Sequence, residues 1–82
     1  MKKITISQAR INLNNAIPHA IQAVENARNE ILSLEIIEEA INIYEERYNT
    51  HTHLSNDSSI KPLLDSLKMA IDDLKFHYRM RS

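Results

Sequence analysis

His51 and His53, separated only by Thr52, are the side chains whose type and spacing come nearest to a metal site. A zinc site takes three or four ligands, and the same polar stretch adds only Asp57. The pair is therefore read as two solvated loop histidines, and neither a metal nor another cofactor is expected. Di-iron bundles draw a Glu-x-x-His pair from facing helices. Here Glu25, Glu30, Glu45 and Glu46 are followed three residues on by Arg28, Ser33, Tyr48 and Asn49, which removes that chemistry. No general base has an activated partner in the sequence, so no catalytic residue is assigned and no enzyme is expected. The absence of glycine points the same way, because active-site turns often need its backbone freedom.

Charge offers a second kind of chemistry. Glu30, Glu35, Glu38, Glu39, Glu45 and Glu46 follow one another with no Lys or Arg until Arg47, while Lys2, Lys3 and Arg10 open the chain and Arg79 and Arg81 close it. Such a run is either a solvated helix face, where exposed ion pairs contribute little, or a docking surface that steers a basic partner. Tyr44 and Tyr48 pair by spacing with Phe76 and Tyr78 on a facing helix, as core aromatics or, if exposed, as a contact hot spot. The candidate partner-binding residues are Glu35, Glu38, Glu39, Glu45, Glu46, Tyr44 and Tyr48.

Two local resemblances occur. Arg47 and His53, with five residues between them, resemble the Arg-x5-His spacing of HEPN-type ribonucleases, though Tyr48 stands where that family usually has Asn, Asp or His. That resemblance implies a ribonuclease using Arg47 and His53. Ile6-Ser7-Gln8-Ala9-Arg10 with Asn12-Leu13 resembles the opening of prevent-host-death antitoxins, in which a short strand leads into a helix. This chain continues into helix rather than further strands, and no function is carried over.

Bulk properties narrow the field. With 82 residues there is room for one helical domain, 1–82. A net charge of −1 disfavours a general nucleic-acid binder, and zero cysteines exclude disulfides and suit a reducing compartment. No apolar run approaches the roughly 18 residues of a membrane-spanning helix. Met1-Lys2-Lys3-Ile4-Thr5-Ile6 opens like a signal peptide, but Ser7, Gln8, Arg10, Asn12, Asn14 and Asn15 interrupt the apolar core at once. A cytoplasmic protein is expected.

The elements that must position these residues are all helical. The pattern predicts an all-α antiparallel hairpin or bundle. A short N-terminal helix, about 7–15, is capped by Ser7, and Asn14, Asn15 and Pro18 predict a break after it. A long central helix, about 17–49, carries Ile17, Ala20, Val24, Ala27, Ile31 and Leu34 on one stripe and resumes through Ile37, Ile41, Tyr44 and Tyr48. The stripe slips near 29–34, where Ser33 could cap a separate helix, so a continuous and a broken version both stand. A polar loop over 48–59 precedes a C-terminal helix of about 60–80, which brings Arg79 and Arg81 near Glu30 and Glu35. An unbroken central helix leaves Ile31, Leu32, Ile36 and Leu67 to be covered by a second copy, whereas the broken version closes the core within one chain.

The function expected is a small non-catalytic protein-binding module of inhibitor, immunity, antitoxin or chaperone type. It would act through a helical face on a partner with a basic surface, and homo-oligomerisation is expected. The alternatives are a self-assembling structural helical module and the HEPN-like ribonuclease.

Overall fold

The computed structural model describes residues 4–81. Helix α1 runs Ile6–Arg28, α2 Leu34–His51 and α3 Lys61–Arg81, with a 3-10 turn over Thr52–Leu54, and the three helices pack against one another. Asn12 of α1 meets His51 at the far end of α2, and Tyr78 of α3 meets Glu38 near the start of α2, so α2 is antiparallel to both neighbours. The groove that pairs Ile21 and Arg28 with Ser66 and Asp73 makes α1 and α3 parallel. The result is an up-down-up three-helix bundle of 37 × 24 × 17 Å.

The break expected at Pro18 does not occur. Thr5, rather than Ser7, caps α1 by accepting the Gln8 amide at 3.1 Å. From there Ala9, Leu13, Ala16, Ala20, Val24 and Ala27 form one buried stripe, and the predicted 7–15 helix and the start of the central helix are a single helix. Proline removes the bond to the carbonyl four residues back and crowds it. Pro18 and Asn14 both lie on the exposed side, so water can serve that carbonyl while buried Ala16 and Ala20 hold the helix together.

The break falls instead at 29–33, which corrects the continuous helix over 17–49. Asn29 ends α1, the Glu30 amide donates to the Ala27 carbonyl at 3.1 Å, and the Ile31 amide donates to Asn26 at 2.9 Å. This pair of bonds is a Schellman stop, which places the residue after the cap in the left-handed region. With no glycine in the chain, Glu30 takes that position at φ 60°. Ser33 then caps α2, accepting the Ile36 amide at 3.3 Å, and Glu35 sits in the first turn where a negative charge suits the helix dipole.

Helix α2 continues past the predicted 49 to His51. The next connection is tightened by Asp57, whose carboxylate accepts the Ser59 amide at 2.8 Å and the Ser59 hydroxyl at 2.5 Å. These bonds hold the Asp57 carboxyl below its ordinary pKa. Helix α3 lies within a residue of its expected span, with Pro62 in the first turn where its missing amide costs little.

The core joins all three helices. Leu13, Ile37, Ile60, Leu64, Leu67 and Leu74 are its largest fully buried side chains. Leu67 is covered within the chain, as the broken version requires, so the unbroken helix that made a second copy necessary is absent. Arg81 donates to the Leu32 carbonyl, between Glu30 and Glu35, which keeps the antiparallel register expected for the end of α3. Phe76 departs from the aromatic cluster expected with Tyr44, Tyr48 and Tyr78: it is 51% exposed.

Candidate partner-binding surface

Helix α2 presents three edges. Its inner edge carries Ile37, Ile41, Tyr44, Tyr48 and His51 at steps of four, three, four and three residues. The same steps on the opposite side place Glu35, Glu39, Asn42, Glu46 and Asn49 outward, all exposed. No cation interrupts that outer stripe.

The edge toward α3 is tied down. The Tyr78 hydroxyl donates to Glu38 Oε2 at 2.9 Å, and Lys75 Nζ lies 2.7 Å from Glu45 Oε2. Lys68 Nζ stands 5.8 Å from the centre of the Tyr48 ring. The hydrogen bond to Glu38 and its negative charge raise the Tyr78 phenol above its ordinary pKa. The seven candidate residues therefore divide. Glu35, Glu39 and Glu46 face solvent together, Glu38 and Glu45 are engaged across the α2–α3 seam, and Tyr44 and Tyr48 are half-buried against the core.

The edge toward α1 carries exposed Ile36 and Ile43, with Arg47 one turn on. A recess of about 390 Å³ between α1 and α2 is lined by Asn15, Ala16, His19, Ile43, Tyr44 and Arg47. A second, of about 320 Å³, shares Ile43 and Arg47 and adds Ile4, Asn12, Glu46, Thr50 and His51. Burial raises the Tyr44 phenol above its ordinary pKa, and the nearby Arg47 charge lowers it in part.

The two histidines differ in their surroundings. His51 is 4% exposed and closes the inner edge of α2, whereas His53 is exposed in the following 3-10 turn. This corrects the reading of His51 as a solvated loop residue. The signal for it was present: the 37, 41, 44, 48 stripe steps next onto 51. Among the described residues, no group of three or more His, Asp or Glu side chains is arranged to hold a metal ion. Arg47 and His53, the residues of the ribonuclease resemblance, are both exposed, and Arg47 lines its recesses with His19 and His51 rather than with His53.

No family model matches the chain, and neither a curated protein nor a solved structure does. No helix among the described residues is long and apolar enough to cross a membrane.

Proposed function

We propose that this chain is a non-catalytic protein-binding module that docks a basic partner surface on the outward face of α2. The observation that carries the reading is the unpaired acidic stripe of Glu35, Glu39 and Glu46, with Asn42 and Asn49 between and after them. Exposed Ile36 and Ile43 run alongside and supply an apolar contact next to the charges. An opposite field steers encounter, and a few buried apolar anchors then hold the complex. Inhibitors, immunity proteins, antitoxins and dedicated chaperones work in this way, and the cytoplasm suits a chain without cysteine.

A photo-crosslinking residue at Asn42 tests the proposal in cells of the native host. One protein should be captured there, in amounts that fall with added salt, and not from the same label at Met69 on α3. Capture from Met69 alone would move the interface off α2.

Self-assembly is the second reading, favoured by Met69, Phe76 and Met80, which are exposed at steps of seven and four on α3. Those steps put the three on one stripe. A sedimentation mass near 9.5 kDa at micromolar concentration would end it.

A further inference from the structure

The seam between α1 and α2 is lined by hydrogen-bonding groups that carry almost no negative charge. On α1, Gln8, Asn12, Asn15, His19, Gln22 and Asn26 follow at steps of four and three residues and so share one edge. Carboxamides and one imidazole make up that edge, with no acid among them. Four of its members are already paired along the helix, since Gln8 donates to Asn12 and Gln22 to Asn26. Asn15 and His19 face the recess across from Arg47, the one Lys or Arg of α2.

Arg47 forms no ion pair among the described residues. The recess it lines with Asn15, His19 and Tyr44 includes no carboxylate, and its remaining walls, Ala16 and Ile43, are apolar. Burial raises the Tyr44 phenol above its ordinary pKa, and the positive field of Arg47 offsets part of that rise. A guanidinium without a partner keeps its full set of planar donors, which match two oxygens of a carboxylate or phosphate. At about 390 Å³ the space is larger than a bare ion fills and falls within the range of small-ligand sites.

We propose that the α1–α2 recess binds an oxyanion, a carboxylate or phosphate carried on a small molecule with an apolar stem. Arg47 takes two of the anionic oxygens. The Asn15 carboxamide and the Tyr44 hydroxyl donate to the same group, and the stem lies on Ile43 and Ala16. Glu46, which lines the adjoining recess, opposes the anion. The site lies on the α1 side of α2, and of the outer acidic stripe only Glu46 borders it.

Heteronuclear NMR of the whole chain tests this with four probes: benzoate, phenyl phosphate, inorganic phosphate and benzylammonium. Benzoate or phenyl phosphate should give saturable shifts centred on Asn15, His19, Tyr44 and Arg47, with inorganic phosphate weaker. The tighter of the first two identifies the anionic group. Arg47→Gln should weaken binding by about tenfold or more, the scale of one charge-assisted contact, and Glu46→Gln should tighten it. Both positions are exposed, so both variants should keep the wild-type fold. Absence of saturable shifts, equal binding by Arg47→Gln, or the same shifts with benzylammonium would overturn the proposal.

Discussion

The Asn12 carboxamide nitrogen and His51 Nε2 meet 3.4 Å apart, joining the start of α1 to the end of α2. The other ring nitrogen of His51, Nδ1, is 2.7 Å from the Arg47 carbonyl. A carbonyl only accepts, so Nδ1 carries the proton and Nε2 accepts from Asn12. Both nitrogens of a buried ring are thereby satisfied, and neither is available to a metal.

His51→Ala should therefore lower stability by about 1–3 kcal/mol, since it leaves Asn12 and the Arg47 carbonyl short of partners. His53→Ala, at an exposed site, should stay within about 0.5 kcal/mol. Urea unfolding of both variants measures this, and equal losses would remove His51 from the core. Zinc followed by chelator should leave the melting temperature of the wild-type protein where it was.

Glu30→Gly should raise stability by about 1 kcal/mol, because a side chain in the left-handed region is strained and glycine is not. Glu30→Ala keeps the Cβ atom and should give no such gain. Thermal unfolding of the pair separates backbone relief from the loss of a surface charge. A gain from alanine equal to that from glycine would mean that charge, and not φ, is the cause.

How much of this was legible beforehand follows from the two breaks in the pattern. Spacing alone located α3, and it offered Ser33 as a cap only as the alternative to a continuous helix; the Ser33 hydroxyl on the Ile36 amide decides for the break. Asn14, Asn15 and Pro18 are local stop signals that misplace the first break, because the Ala9-Leu13-Ala16-Ala20-Val24-Ala27 stripe passes through them without a slip. Tertiary cover on one side of the helix outweighs a lost hydrogen bond on the other. Polar residues 49–52 hid His51 in the same way. The acidic run itself was plain, but only the direction of α3 decides that Glu38 and Glu45 are engaged and that Glu35, Glu39 and Glu46 are not. The Arg47 recess is not legible in the sequence, since Asn15 and His19 come to it from one helix that the local stop signals divide between them.

Leu67→Ala should cost about 2–5 kcal/mol, as Leu67 is fully buried in the second turn of α3. Glu46→Ala should fall within about 0.5 kcal/mol. Comparable shifts in denaturation midpoint for both would contradict the packing described for α3.

The Tyr78–Glu38 bond predicts alkaline sensitivity with a definite sign. The folded-state pKa of Tyr78 is raised above the ordinary 10.0. Its contribution is then fully present below that ordinary value and is lost as pH climbs through the raised one. Tyr44, raised by burial, acts in the same direction. Melting temperature should fall above pH 10 or so, and Tyr78→Phe should flatten part of that fall. An unchanged slope in Tyr78→Phe would mean that the bond to Glu38 adds nothing in solution.

The most direct measurement of the docking role is the association rate with the protein captured at Asn42, taken at low and at physiological salt. Wild type is compared with the triple variant Glu35→Lys, Glu39→Lys and Glu46→Lys. These sites are exposed, so the variant should fold normally. Its association should be slower and should lose most of the salt dependence seen for wild type, because a rim field acts chiefly on encounter. A triple variant that associates at the wild-type rate, with the wild-type dependence on salt, would contradict docking through the outer face of α2.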